Sequence, residues 1–258
     1  IAGAAIATAI SQCVSFGILF SWFLRGKTIV RLSAASISRS PLEYLRILKN
    51  GFPSFCRQAL ASIATIALNV NAAVYGDAAV AAMSIVGRLF MFVFVVNLGI
   101  GQGYMPVAGY NYGAGRFDRV KAAFLFTLKV TSAMMTLSGI AAFMAAPGLI
   151  RIFIKTDPDV VRIGALALRA MCFAMPLIPL GVVCNMTFQS IGKSWTATVL
   201  SLARQGIFFL PLILVLPRFI GLTGVQIAQP LAGALTFLCC LPLAFFFFKE
   251  LDAMSKTN

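Results

Sequence analysis

Few side chains in this sequence of 258 residues could carry acid–base or metal chemistry. It has no histidine, and its seven acids are Glu43, Asp77, Asp118, Asp157, Asp159, Glu250 and Asp252. On the segment map below, each acid falls in a connector or in the C-terminal tail. A catalytic or metal centre needs such side chains grouped at one site. We therefore expect no enzyme activity and no metal in this chain.

The cysteines add no cofactor site. No pair has the C-x-x-C spacing, and all lie in or beside apolar segments: Cys13, Cys56, Cys172, Cys184, Cys239 and Cys240. Zinc sites use closely spaced cysteines or histidines, and haem attachment uses C-x-x-C-H, so neither is expected here. We expect most of these thiols to pack as small apolar side chains.

The elements that hold these residues are predicted to be membrane helices. The chain is 60% hydrophobic and only 11% charged, whereas a soluble domain is about a quarter charged. Apolar runs of about 20 residues recur, which is the length that spans a bilayer as a helix. We predict an all-α, polytopic membrane protein with about seven transmembrane helices, roughly at 1–24, 52–75, 78–102, 119–146, 160–190, 195–217 and 222–248.

The net charge of +14 does not indicate nucleic-acid binding. Lysines and arginines gather in short connectors, as the positive-inside bias of membrane proteins predicts. The first connector is strongly basic, with Arg25, Lys27, Arg31, Arg39, Arg46 and Lys49. We predict that it is cytoplasmic, which places the C-terminus in the cytoplasm too. A loop on the opposite side, with Arg151, Lys155 and Arg162, is an exception to the bias.

Two connectors contain residues that predict where a helix begins or ends. In "SPLEYLRIL", Ser40 is a candidate N-cap, Pro41 fits the first helical position, and Glu43 completes a capping box. We predict a short amphipathic helix on the inner membrane surface. In "GQGYMPVAGYNYGAGRFDRVK", Pro106 is expected to end or kink a helix, and the glycines after it to form a tight turn.

Four segments resemble one family of membrane proteins. "GQGYMPVAGYNYGAGRFDRVKAAF" is similar to the link between the eighth and ninth helices of the multidrug and toxic compound extrusion (MATE) transporters. "NGFPSFCRQALASIATIALN" resembles their seventh helix and "GDAAVAAMSIVGRLFMFVF" their eighth. "FQSIGKSWTATVLSLARQGIFFLPLILVLPRFIGLTGVQIAQP" resembles the end of the tenth through the start of the twelfth.

The resemblance implies a fold of twelve helices in two lobes. Residues 1–24 would be the last helix of the N-terminal lobe, 25–50 a cytoplasmic linker, and 51–258 the six-helix C-terminal lobe. The chain opens with no initiator Met and no basic segment, so we expect a helix from within a longer protein. Its expected partners are the lipid bilayer, small organic substrates and the missing N-terminal lobe.

The resemblance also implies secondary active efflux across the plasma (inner) membrane. Sodium or proton flow would drive export of organic, often cationic and amphipathic compounds by alternating access of the two lobes. Some members carry an acid on the seventh and tenth helices, but "LASIATIALN" and "CFAMPLIPLG" contain none. Either the coupling carboxylate lies in the N-terminal lobe, or this lobe does not bind the cation. No cofactor is expected.

Polar and soft side chains within the spans are candidates for the substrate cavity: Asn69, Arg88, Asn97, Met175, Asn185, Gln189, Arg204 and Gln205. A hydrogen bond between helices is the alternative role for each polar one. Arg57 is interpreted as reaching towards the headgroups, with a functional role as the alternative. Candidate hinges, which could equally be static bends, are Pro53, Pro106, Pro176 and Pro179.

Three other functions are considered. A lipid-linked oligosaccharide flippase of the same superfamily would share the fold and need a roomy, basic cavity. A membrane-embedded enzyme would need a catalytic set that the spans lack. A purely structural or assembly protein stays open.

Overall fold

The computed structural model describes residues 2–26, 40–154 and 157–257. These segments form ten α-helices and no strand. In chain order the helices are α1 Ala2–Leu24, α2 Pro41–Ala73, α3 Asp77–Gly113, α4 Phe117–Met144, α5 Ala146–Phe153, α6 Pro158–Ala174, α7 Ile178–Ser190, α8 Ser194–Leu202, α9 Leu210–Ile220 and α10 Leu222–Thr257. A 3₁₀ turn, Met175–Leu177, joins α6 to α7, and a π-helix, Ala203–Phe209, joins α8 to α9.

The predicted membrane fold is confirmed. Within the described residues, six helical segments are long and apolar enough to cross a bilayer: Ala5–Leu24, Asp77–Gly113, Phe117–Met144, Pro158–Ser190, Ser194–Ile220 and Leu222–Ser255. The remaining predicted span, 52–75, lies almost entirely in α2, which is long but does not meet that criterion. Arg57, Gln58, Asn69 and Asn71 reduce its apolar character.

Helix α2 departs from the prediction of a separate surface helix. It begins at Pro41, as predicted, and the Glu43 N–H donates to the Ser40 carbonyl at 3.2 Å. The helix then continues through Pro53 to Ala73 without a break. The prediction of two elements was wrong because one interior proline removes a single backbone hydrogen bond, which tertiary packing can tolerate; Pro53 is buried. Lys27, Arg31, Arg39 and Lys155 lie outside the described residues.

Helix α3 also continues beyond its predicted end. Pro106 lies inside it, and the turn comes later, where Gly115 has φ +68°. Packing holds the segment around Pro106: Tyr104 Oη and Thr187 Oγ1 lie 3.0 Å apart, and a Cβ on Gly109 would lie 3.1 Å from the Ser190 carbonyl oxygen. Contacts with α7 thus favour a helical conformation that the local sequence does not predict.

The chain divides into two compact units, Ile1–Arg46 and Ile47–Asn258. In the second unit, one apolar core packs α3, α6 and α10 around Phe90, Leu168 and Val225. Another packs α4, α7 and α10 around Phe124, Val183 and Phe247. Between them these cores fix the helices that line the cavity.

Candidate functional site

The second unit contains a partly open cavity of about 470 Å³. Its lining comes from α2, α3, α7, the α8–π-helix segment and α10. This volume is within the range of small-molecule sites. The cavity therefore lies between helices of one unit and has the size of a small-molecule site.

Three arginines line this cavity: Arg57 on α2, Arg88 on α3 and Arg204 on the π-helix. Arg88 lies eleven residues into α3, or about 16 Å along the axis at the α-helical rise. Arg204 lies ten residues after the start of α8, or about 15 Å by the same measure. Both are thus far from the ends of their membrane segments.

The guanidinium group of Arg204 rests on two aromatic rings. Its Cζ lies 4.9 Å from the centroid of Phe94 and 5.6 Å from that of Phe90. The two rings are themselves stacked, with centroids 5.3 Å apart. Because Phe90 and Phe94 are four residues apart on α3, they share one helix face. This cation–π contact orients Arg204 within the cavity.

The backbone that carries Arg204 is itself unusual. The π-helix Ala203–Phe209 widens the turn at Arg204 and Gln205, and such bulges are frequent at functional sites. Gly206 allows this segment to approach α2, since a Cβ there would lie 3.2 Å from Leu60 Cδ1. Local geometry thus brings two polar side chains to the cavity wall.

Asn185 connects three elements beside the cavity. Its Nδ2 donates to the Ala197 carbonyl at 2.6 Å and to Ser201 Oγ at 2.8 Å. Its Oδ1 accepts from Arg57 Nη1 at 3.5 Å. The buried amide therefore fixes α7 against α8 and is also the hydrogen-bond partner of Arg57.

No acid belongs to the lining among the described residues. The seven acids occupy helix ends: Glu43, Asp77, Asp118, Asp157 and Asp159 near N-termini, and Glu250 and Asp252 near the end of α10. Asp157 caps α6, where its Oδ1 accepts from the Asp159 and Val160 amides. Acids near helix N-termini are favoured by the helix dipole.

Five of the eight predicted cavity residues line it: Asn69, Arg88, Asn185, Arg204 and Gln205. The other three lie elsewhere. Met175 is buried in the core. Gln189 donates to the Asn50 carbonyl at 3.2 Å and to Ser54 Oγ at 2.9 Å. Asn97 is fully buried, and neither polar atom of its amide has a partner within the described residues.

The sequence reading missed several lining residues. Arg57 was interpreted as reaching towards the headgroups, but its side chain lines the cavity. Gln58 and Gln229 also line it, and Met83 and Met91 supply soft side chains in place of Met175. An amide or a charge on an otherwise apolar helix is a signal from which Arg57, Gln58 and Gln229 could have been predicted.

The four predicted hinge prolines lie in different settings. Pro53 and Pro106 are inside α2 and α3. Pro176 lies in the 3₁₀ turn and Pro179 at the start of α7. Only the second pair coincides with a change of helix type.

The structure is thus an all-helical membrane fold with a cavity that combines apolar walls with polar side chains. Comparison with known families agrees: the chain belongs to the MatE family, whose model matches residues 53–215.

Two curated relatives are multidrug export proteins. The chain is 27% identical to the multidrug export protein MepA of Staphylococcus saprophyticus, over 87% of this chain and 49% of that protein. It is 26% identical to the MepA of Staphylococcus aureus (strain MSSA476), over 95% of this chain and 54% of that protein. The chain spans about half the length of the curated relatives it matches.

Solved structures share the fold. One is described as the outward-facing conformation of a multidrug resistance MATE family transporter of the MOP superfamily. It superposes with a TM-score of 0.85 at 25% identity, over 99% of this chain and 57% of that one. A MATE crystal structure in complex with MaL6 gives a TM-score of 0.87 at 23% identity, over 98% of this chain and 57% of that one.

Proposed function

We propose that this protein takes part in secondary active efflux of small amphipathic organic compounds. The observation that carries the proposal is the cavity, which combines polar side chains with apolar walls and lies in the first two-thirds of α3 and near the middle of the α8–α9 segment. Membership of the MatE family and the resemblance to multidrug export proteins support it. Inward flow of sodium or protons would drive the export.

The coupling ion is proposed to bind outside this cavity. A cation bound within a membrane protein needs a carboxylate or a group of oxygen ligands. None of the lining residues in the described part of the chain is an acid. We therefore assign the coupling carboxylate to an N-terminal lobe that acts with this one, as the half-length match to relatives suggests.

Alternating access would move the two lobes relative to each other. Among the candidate hinges, we favour Pro176 and Pro179, because the 3₁₀ turn interrupts the regular helix between α6 and α7. Such a break lets a helix bend without loss of its flanking turns.

Orientation is proposed from the basic end of the second unit. The start of α4 and the α7–α8 turn meet the end of α10 through Lys121–Asp252 at 2.8 Å and Lys193–Glu250. Arg116, Arg119 and Lys249 lie near these pairs in sequence. Under the positive-inside rule this end faces the cytoplasm. A C-terminal green fluorescent protein fusion should fluoresce, and an alkaline phosphatase fusion should be inactive; the reverse result would contradict the orientation.

Efflux from cells that lack their main pumps tests the central proposal. Ethidium and carboxyfluorescein, dyes of opposite charge, are loaded separately, and the sodium and proton gradients are collapsed one at a time. We expect efflux of at least one dye that stops with one of the gradients. Retention of both dyes, despite confirmed membrane expression, would overturn the proposal.

The arginines of the cavity favour one second candidate, a lipid-linked oligosaccharide flippase. The pyrophosphate of such a lipid would need basic side chains like Arg88 and Arg204. A vesicle assay of transbilayer movement with a fluorescent lipid pyrophosphate separates the two candidates. Movement of this lipid without dye efflux would favour the flippase.

A further inference from the structure

We propose that the cavity binds the anionic group of an amphipathic compound, so that the substrates carry a sulfonate, carboxylate or phosphate. This names the substrate class of the efflux proposed above and rests on it. It replaces the cationic class that the resemblance implied. The observation is the charge of the lining, which contains Arg57, Arg88 and Arg204 and, among the described residues, no aspartate or glutamate.

The first step is that the three cavity arginines have no acidic partner among the described residues. None of these arginines forms an ion pair in the described part of the chain, where the three ion pairs are Lys121–Asp252, Arg162–Asp159 and Lys193–Glu250. Arg88 is exposed, and Arg57 and Arg204 are half-buried, so all three side chains are accessible to a ligand in the cavity. An anionic ligand would supply the missing partner.

The second step is that two guanidinium groups retain their hydrogen-bonding capacity. Arg204 makes cation–π contacts with Phe90 and Phe94 but no hydrogen bond to another described residue. Arg88 likewise has no hydrogen-bond partner there. A guanidinium stacked on a ring keeps its in-plane N–H groups for a planar or tetrahedral anion, which it binds with two parallel hydrogen bonds. Arg57 has only the 3.5 Å contact with Asn185.

The third step concerns the rest of the ligand. Apolar and aromatic side chains also line the cavity, among them Phe94, Leu98, Ile178 and Phe237. Gln205 and Gln229 add neutral hydrogen-bonding groups. An aromatic or aliphatic body would fill this part while its charged end reaches the arginines. An organic cation of equal size would fit the walls but be repelled by three positive charges.

A matched pair of fluorescent probes tests the charge preference. Anilinonaphthalene sulfonate and phenylnaphthylamine share one aromatic skeleton, and only the first carries a sulfonate. Their binding to the natural full-length protein is measured in phosphatidylcholine nanodiscs, with empty nanodiscs subtracted. We expect saturable binding of the sulfonate about tenfold tighter than that of the neutral probe, since hydrogen bonds to a charged group contribute at least about a factor of ten. Equal affinities would overturn the proposal.

Variants assign the preference to the cavity. Arg88→Gln and Arg204→Gln should each weaken sulfonate binding about tenfold and leave the neutral probe unchanged. Arg204→Lys keeps the charge and should lose less. Lys129→Gln is the matched control, because Lys129 is an exposed charge far along α4 and does not line the cavity. If Arg→Gln variants misfold, the ratio of the two affinities in the unaltered protein still decides the matter.

Two further measurements are needed. One distinguishes a lipid phosphate from a soluble anion, and the other distinguishes failure of this inference from failure of the proposed function. Phosphatidic acid added to the nanodiscs should displace the sulfonate if a lipid phosphate is the natural anion, and should leave binding unchanged if a soluble anion is. Ethidium efflux driven by a gradient, together with no preference for the sulfonate, would overturn this inference and keep the proposed function. Sulfonate preference without efflux of either dye would keep the anion site and overturn the proposed function.

Discussion

Asn185 illustrates how a single amide can serve both structure and site. It is buried, and its hydrogen bonds reach the Ala197 carbonyl, Ser201 and Arg57. A neutral amide on an apolar helix has two readings from sequence, a helix–helix hydrogen bond or a ligand contact. The structure shows the helix–helix hydrogen bonds of Asn185. Its position on the cavity lining leaves a ligand contact as a proposal.

Asn185→Ala should lower the free energy of unfolding by about 1–3 kcal/mol, because it removes two buried donors and the acceptor for Arg57. Chemical denaturation of the protein in detergent measures this. Asn69→Ala is the control: Asn69 also lines the cavity, and no hydrogen bond holds it among the described residues. It should stay within about 0.5 kcal/mol of the unaltered protein. Equal stability of the two variants would show that the Asn185 contacts contribute nothing.

Phe94→Leu should weaken the binding of anilinonaphthalene sulfonate by about two- to fivefold, because it removes the closer ring beneath Arg204. A cation–π contact contributes about 0.5–1 kcal/mol, and leucine keeps most of the apolar volume. Fluorescence titration in nanodiscs gives the affinity. The control is Phe92→Leu, since Phe92 is 80% exposed on the same helix and does not line the cavity. A loss of the same size in both variants would argue against a specific role for the ring.

Helix packing depends on close approach at a few glycines. At the start of α10, a Cβ on Gly224 would lie 2.6–2.7 Å from backbone atoms of Leu216 and Pro217 on α9. Backbone atoms cannot rotate away as a flexible side chain can. The tight α9–α10 hairpin, with Gly221 at φ +60° between the helices, therefore requires glycine at position 224.

Gly224→Ala should destabilise the protein by about 2 kcal/mol or more, since α9 and α10 must separate to admit the methyl group. Thermal unfolding and the yield of monodisperse protein report the effect. Gly99→Ala provides the contrast, because a Cβ at Gly99 meets nothing within 4 Å and alanine favours the helix. A variant at position 224 as stable as the one at position 99 would contradict the packing described here.

The 3₁₀ turn between α6 and α7 is the hinge that we propose. Pro176→Ala restores a backbone donor in the 3₁₀ turn and should raise the unfolding temperature while it slows efflux, because regular helix resists bending. Pro230→Ala is the matched control within α10 and should leave the efflux rate unchanged. Initial rates of dye efflux, normalised to surface expression, decide between a hinge and a static bend. An unchanged rate in Pro176→Ala would identify the bend as static.

At the scale of the whole molecule, acids at helix ends are expected not to couple ion flow to efflux. Asp118→Asn and Asp159→Asn remove charges near the starts of α4 and α6. Both should keep gradient-driven efflux within about twofold, since surface substitutions usually change free energies by less than about 0.5 kcal/mol. Efflux with each gradient collapsed is the measurement. Loss of ion dependence in either variant would place the coupling carboxylate in this lobe and contradict its assignment to another.

The sequence alone determined the fold class and the family. A chain with recurring apolar runs of bilayer length has few alternatives to membrane helices, because backbone polar groups must be satisfied within the segment. The motif between Gly101 and Phe124 carried the resemblance to the MATE transporters, and the MatE match bears it out. The distribution of charges along the sequence also indicated that no acid lies in the middle of a helix.

Only the tertiary structure decided which polar residues share a site. Asn97 and Asn185 are alike in sequence, yet Asn97 is buried with no hydrogen-bond partner among the described residues, and Asn185 lines the cavity. Whether Arg57 lines the cavity depends on the angular position of α2 against α7 and the π-helix. The periodicity of the sequence does not give that angle. The same holds for the continuity of α2 and α3 through Pro53 and Pro106. There, long-range packing outweighs the loss of one local hydrogen bond, and a local signal contains no information about that balance.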